Sequence, residues 1–221
     1  MKTIIVHRTN NSFGKKDASR VFTPEAEHLE RLLGTIGHES ERIGYDTTVE
    51  DYADKTQRAI LAKPEIDTLA YFGHGWVSGL EFLQWWEIDK FVGRLVARNC
   101  QRVILFACSA APPPKRAKAC VAERICQCAA YRRKELVVIG HEVSGHATCN
   151  PRARVWRSRR THVDTMAVLS HAIPLVNDLG EWRRTLKTDP YVRLLWPYVV
   201  TPQLHALTYR EVVAMTQEIG R

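Results

Sequence analysis

A chain of 221 residues is the size of one domain, or of one domain with an appendage. Its 45% hydrophobic and 25% charged residues are ordinary for a soluble globular protein with a sizeable core, and no apolar run approaches the ~20 residues of a membrane span, so neither a transmembrane helix nor a membrane partner is expected. The formal net charge of +8 is compatible with nucleic acid, with acidic partners or simply with solubility.

The chain opens with Met1-Lys2-Thr3-Ile4-Ile5-Val6-His7, an apolar run too short for a signal peptide. It reads as a first strand over 2–7, buried on both faces because its apolar residues do not alternate. A cytoplasmic protein is therefore expected. Residues 8–21 are polar and form a loop. Thr23-Pro24-Glu25 is a helix start, with Thr23 as N-cap and Pro24 at the first helical position, for a helix ending at about 33–36 near Gly34 and Gly37. A second strand is expected over 43–48, and a helix over 51–63 that Pro64 ends.

The third strand, 68–72, runs into Gly73-His74-Gly75 and a tryptophan-rich loop over 76–86. Residues 87–98 form an amphipathic helix with Ile88, Phe91, Val92, Leu95 and Val96 on one face. The fourth strand, 102–107, ends at Cys108 and is followed by Pro112-Pro113-Pro114 and a helix over about 115–132. The fifth strand spans 135–140. Helical patterns follow at 166–176 and 208–219. Strands alternating with helices predict an α/β protein with a mainly parallel sheet, a single domain over 1–221 made of a core, 1–150, and a C-terminal elaboration, 151–221.

In open parallel sheets ligands bind at the carboxyl ends of the strands. His7, His74, Cys108 and His141 all fall at or just after such ends. If the third and fourth strands are neighbours, His74 and Cys108 face one cleft. A thiolate is a nucleophile and an imidazole exchanges its proton, so the pair suits covalent catalysis. The following helix, starting near 115, would bring its dipole to the thiolate. The backbone N–H groups of Gly75 and Cys108 are the natural donors to an oxyanion, and glycine at 75 lets a substrate carbonyl approach closely.

Tyr71-Phe72-Gly73-His74-Gly75, followed 34 positions after the histidine by Phe106-Ala107-Cys108-Ser109, resembles the caspase–haemoglobinase group of cysteine peptidases, which includes caspases, metacaspases, legumains, gingipains, separases and the CHAT peptidases. The likeness follows the strand order over 1–150, and its specific part is these two motifs. It implies a caspase-like α/β/α sandwich, with His74 as catalytic histidine, Cys108 as nucleophile and Gly75 as oxyanion donor. It also implies a protein or peptide substrate, an activating partner protein as a further candidate, and no organic cofactor.

Val137-Val138-Ile139-Gly140-His141-Glu142 falls where that group lines its substrate pocket, so His141, Glu142 and Trp76 are the substrate-binding candidates. Acids that could read a basic residue before the scissile bond are Glu142, Asp164, Glu81 and Asp89; bases that could read an acidic one are Arg8 and Arg154. Glu142 is placed best, which favours cleavage after a basic residue. The basic stretches at 115–118 and 132–134 read as exposed helix faces rather than self-processing sites.

Each feature has a plainer reading. Cysteine is often a small buried hydrophobe, and Cys100, Cys120, Cys126, Cys128 and Cys149 are taken as structural. Zinc could be held by His7, His74, Cys108 and His141, but there is no Cys-x-x-Cys, and His141-Glu142-Val143-Ser144-Gly145-His146 is one residue too long for His-Glu-x-x-His; no metal is expected. Trp76, Trp85 and Trp86 are either a substrate wall or a cap on the sheet. Arg152, Arg154, Arg157, Arg159 and Arg160, interrupted by Trp156, could hold nucleic acid with the tryptophan stacking. A solvated face is the better account, and nucleic acid is not expected. The alternative to a peptidase is a catalytically inactive caspase-like binding or regulatory module using that basic face.

Overall fold

The computed structural model describes residues 2–10, 22–35, 37–114, 118–143 and 153–173. Strand β1 (Lys2–Arg8) is followed by α1 (Phe22–Thr35), β2 (Glu39–Tyr45), α2 (Tyr52–Leu61), β3 (Thr68–Phe72), a small hairpin of β4 (Gly75–Trp76) and β5 (Gly79–Leu80), α3 (Ile88–Val96), β6 (Arg102–Phe106), α4 (Val121–Tyr131), β7 (Leu136–His141), β8 (Ala153–Arg160) and β9 (Met166–Ile173). Seven strands form one sheet in the order β2-β1-β3-β6-β7-β8-β9. The first five in that order are parallel, and β8 and β9 extend the sheet antiparallel. The expected α/β architecture with a mainly parallel sheet is the one observed.

Strands β3 and β6 are buried at every position, as their unbroken apolar runs require. Side chains alternate between the two faces. Ile4, Val6, Leu69, Tyr71, Val103, Leu105 and Val138 join Ile60 and Leu61 of α2, Ile88 and Phe91 of α3, and Ile125 and Cys126 of α4 in one cluster. Helix α1 packs on β1, β2 and β3 through Ala26, Leu29 and Leu33, which lie outside that cluster. Right-handed crossovers put it on the opposite face, so helices cover both. The expected apolar face of α3 is buried residue for residue.

Several boundaries differ from expectation, each for a local reason. β2 lies earlier than 43–48 because it is an edge strand whose charged Glu39, Glu41 and Arg42 face solvent, a pattern that disguises a strand. Helix α1 starts at Phe22, one residue before the expected cap, because the Thr23 hydroxyl is turned to β1, 3.2 Å from His7 Nδ1 and 3.4 Å from the Arg8 carbonyl it donates to. Its end is set by Gly37 at φ 70, with the Gly37 and His38 N–H groups closing on Gly34 and Leu33. Helix α4 starts at Val121 rather than near 115: the three prolines keep the chain extended, and the Cys120 sulfur caps the Glu123 N–H.

The segment expected to be helical from 166 is strand β9 up to Ile173. A turn in which Thr161 N–H donates to Thr165 carbonyl, with Asp164 at φ 57, folds it back on β8. A short apolar run carries no period long enough to separate helix from strand. The expected helix at 208–219 lies outside the described residues, as do Cys149 and His146. No helix among the described residues is long and apolar enough to cross a membrane.

Candidate functional site

The parallel register pairs Phe72 of β3 with Phe106 of β6, and their rings stack with centroids 4.2 Å apart. His74 and Cys108 each stand two residues beyond this pair, so the register delivers imidazole and thiol to the same level of two adjoining strand ends. A Cβ on Gly75 would lie 2.8 Å from the Ala107 Cβ and 3.3 Å from the Cys108 carbonyl oxygen. Only glycine allows that approach, and it brings the two tips together. Both His74 and Cys108 are half-buried.

Gly75 pairs with Leu80 in the hairpin, and the Glu81 N–H donates to the His74 carbonyl. Gly75 is therefore at a position of the ladder whose N–H points away from its partner strand. Beyond Cys108, Ser109 turns sharply at φ 50, a left-handed value that non-glycine residues seldom adopt. Ser109 and Ala111 donate their N–H groups to the Val143 and His141 carbonyls, tying the turn to the end of β7. Helix α4 starts 13 residues after Cys108, and its Val121 and Ala122 N–H groups donate to the Val77 and Ala110 carbonyls.

Beneath His74 lies a buried polar network not anticipated from the sequence. Arg8, at the end of β1, is fully buried and pairs with Glu81 (Nη1 to Oε1, 2.6 Å). The Tyr45 hydroxyl donates to Glu81 Oε2 at 2.7 Å and lies 2.9 Å from the Tyr71 hydroxyl, which donates to the His74 carbonyl at 2.8 Å. The His74 N–H donates to Glu81 Oε2 at 3.4 Å, and the Tyr52 hydroxyl donates to the Glu81 carbonyl at 3.0 Å. A Cβ on Gly73 would collide with both the Tyr71 and Tyr45 hydroxyls. Burial raises both tyrosines well above their usual range, so both keep their protons. Arg8 and Glu81, considered above as pocket residues, are thus committed to each other in the interior.

Of the remaining candidates, His141 and Glu142 lie at the end of β7 to which the Ser109 turn is tied, and the others lie elsewhere. Glu142 follows β7 and accepts from Arg154 (Nε to Oε1, 2.9 Å). His141 is buried at the end of β7. Trp76 is exposed on the hairpin directly after Gly75, and Trp86 is exposed further along, whereas Trp85 is half-buried with Lys118 and Arg124 over its ring. Asp89 and Asp164 pair with Arg132 and Arg160. His7 is buried beside α1, and burial lowers its pKa. Among the described residues no group of three or more His, Cys, Asp and Glu is disposed to hold a metal.

Of the five described cysteines only Cys108 is half-exposed. Burial pushes Cys100 up to about 12, Cys120 and Cys128 to about 11, and Cys126 higher still. Trp156 is buried in the core and cannot stack on a nucleic acid base, because β8 turns it inward while Arg159 and Arg160 are exposed.

These observations define an α/β protein with an imidazole and a thiol at the carboxyl ends of two adjacent parallel strands. No protein-family model matches the chain, and no curated protein matches it. Among solved structures it is similar to pro-sf-caspase-1, at 12% identity and a TM-score of 0.38 over 65% of this chain and 61% of that one. It is also similar to caspase-1 from Spodoptera frugiperda, at 13% identity and a TM-score of 0.36 over 72% of this chain and 62% of that one. The chain thus matches about three fifths of the length of each.

Proposed function

We propose that this protein is a cysteine endopeptidase in which Cys108 is the nucleophile and His74 the general acid and base. The observation that supports this reading is the parallel pairing of Phe72 with Phe106, two residues before His74 and Cys108, together with the close backbone approach at Gly75 and the half-burial of both residues. His74 takes the thiol proton as the sulfur bonds to the peptide carbonyl carbon. The negative charge on oxygen is met by the Gly75 and Cys108 N–H groups, which cost no reorganisation because the backbone is already fixed. The C–N bond then breaks as His74 returns the proton to the departing amine. Water, deprotonated by the same imidazole, releases the acyl group from sulfur.

The substrate is a protein or peptide held between Trp76 on one side and the end of β7, His141 and Glu142, on the other. Glu142 favours a basic residue before the scissile bond. Glu142 already holds Arg154 through Oε1 at 2.9 Å, so the carboxylate stands beside β8 with a guanidinium as its partner. The test is a panel of fluorogenic peptides carrying Arg, Lys, Asp or Leu before the reporter, run on wild type, Cys108→Ala and Glu142→Gln. Turnover of the Arg and Lys peptides that vanishes in Cys108→Ala is the expected result. Equal signal from wild type and Cys108→Ala refutes the peptidase, and an unchanged preference in Glu142→Gln refutes the assignment of that acid.

A further inference from the structure

We infer that Tyr71, Tyr45 and Glu81 are positioning residues for His74, a proposal that rests on the dyad reading above. Their purpose is to clamp the main chain of the histidine so that its ring is held at the Cys108 tip. Both polar main-chain groups of His74 are engaged by side chains from below: its carbonyl by the Tyr71 hydroxyl at 2.8 Å and its N–H by Glu81 Oε2 at 3.4 Å. The ring itself lies T-shaped to the Phe22 ring at a centroid distance of 5.3 Å. Three parallel or edge strands and the hairpin loop therefore converge on one residue, through Arg8, Tyr45, Tyr71 and Glu81.

A residue in an ordinary strand end needs none of this, since water would satisfy its carbonyl and N–H. Here the chain commits a fully buried arginine, a buried carboxylate and two buried hydroxyls, groups that are costly to desolvate. Two hydroxyl protons serve three short oxygen separations from Glu81 Oε2 through Tyr45 and Tyr71 to the His74 carbonyl, so a change at one end is felt at the other. Gly73 is the complement of the network, because any side chain there would push the two hydroxyls apart. The tyrosines never touch the reacting atoms. They set where the imidazole stands, and a displacement near 1 Å at such a site costs up to about a hundredfold in rate.

The test is the second-order rate constant for iodoacetamide alkylation of Cys108, located by peptide mapping, over pH 5 to 9, with thermal unfolding recorded on every variant. An imidazole that accepts the sulfur's proton raises the alkylation rate constant at pH 6 above that of His74→Ala. Tyr71→Phe keeps the buried ring and removes the donor to His74; it is expected to cut the pH 6 rate constant about tenfold. Tyr45→Phe, one hydroxyl further away, is expected to cut it about threefold. Val92→Ala, a core change in α3 that removes no hydrogen bond of the network, supplies a stability loss without the positioning loss and is expected to leave the profile in place.

If Tyr71→Phe and Tyr45→Phe both keep the wild-type profile while His74→Ala loses it, the positioning role is overturned and the dyad stands. If His74→Ala itself keeps the profile, the dyad falls and the positioning role with it. If Val92→Ala shifts the profile as far as Tyr71→Phe at equal loss of Tm, the network is merely structural and the inference is overturned. Should Tyr71→Phe fail to fold, Tyr45→Phe decides by the same criterion.

Discussion

The ion pair of Arg8 and Glu81 offers the sharpest test of the interior. Its side chains are 0% and 7% exposed, with Nη1 and Oε1 2.6 Å apart. Taking the charge centres as ~4 Å apart, an effective dielectric of ~20 gives an attraction of ~4 kcal/mol, set against several kcal/mol of desolvation for each ion. The net worth of the pair is therefore small, but breaking it is not. Arg8→Met leaves a buried carboxylate with only the Tyr45 hydroxyl, the His74 N–H and what else surrounds it, and such uncompensated charges cost about 3 to 5 kcal/mol. For a chain of this length that is a fall in Tm of roughly 6 to 20 °C.

Glu81→Gln removes the carboxylate facing the Arg8 cation, leaving its Nε hydrogen bonds to Asn10, and carries a similar cost. The double variant Arg8→Met/Glu81→Gln removes both charges, while the glutamine carbonyl still accepts from Tyr45. It is expected to be less destabilised than the sum of the singles by at least about 1.5 kcal/mol, a coupling typical of groups in direct contact. Urea unfolding of the four proteins at pH 7, followed by circular dichroism, measures the cycle. Additive effects, or an Arg8→Met cost below about 1 kcal/mol, would refute the claim that the two charges are buried against each other.

Gly75→Ala drives a methyl group against Ala107 and the Cys108 carbonyl, and is expected to cost about 1 to 3 kcal/mol and to suppress Cys108 alkylation at pH 6. Gly34→Ala, in α1 with nothing within 4 Å of the added carbon, is expected to gain about 0.5 to 1 kcal/mol instead; urea midpoints of the two separate these signs. Brief iodoacetamide treatment of the native protein at pH 8, followed by peptide mapping, is expected to mark Cys108 and spare Cys100, Cys120, Cys126 and Cys128, whose burial holds the thiol form. The Asp89 carboxyl is held down to about 2 by its hydrogen bonds from Arg132, so its contribution to stability is complete above its unfolded value near 3.8 and is lost as pH falls toward 2. Because the pair is exposed, Asp89→Asn is expected to cost under about 1 kcal/mol at pH 7 and progressively less between pH 4 and pH 2, as acid unfolding curves would report.

How much of this could be read in advance depended on whether a feature is local. The bounds of β3 and the buried face of α3 were legible because an apolar run cut off by Gly-His-Gly, or repeated at helical spacing, writes its own limits. The positions of His74 and Cys108 followed from those limits together with parallel pairing of neighbouring strands. Strand β8 was obscured by its own arginines: Ala153, Val155, Trp156 and Ser158 are its buried residues, and the charges between them resemble a solvated run. The network under His74 was not legible at all. Arg8 and Glu81 are 73 positions apart, and each taken singly is an ordinary surface charge; only the sheet order makes them partners.

That sheet order also explains why the network lies where it does. Strand β1 leads through α1 to β2 on one side, whereas β3 leads through α3 to β6 on the other, so the direction of winding reverses between β1 and β3. Loops parting to opposite faces open a crevice at such a reversal, and in sheets of this kind it is the usual ligand site. Here the crevice is filled from within: Arg8 at the end of β1 reaches Glu81 after the hairpin that follows β3, with the Tyr45 and Tyr71 hydroxyls packed alongside. The next junction along, between β3 and β6, is where His74 and Cys108 follow the strand ends. A chain that closes the reversal point with its own ion pair gains a rigid support beside the β3–β6 strand ends, and the His74 main chain is bonded to that support through Tyr71.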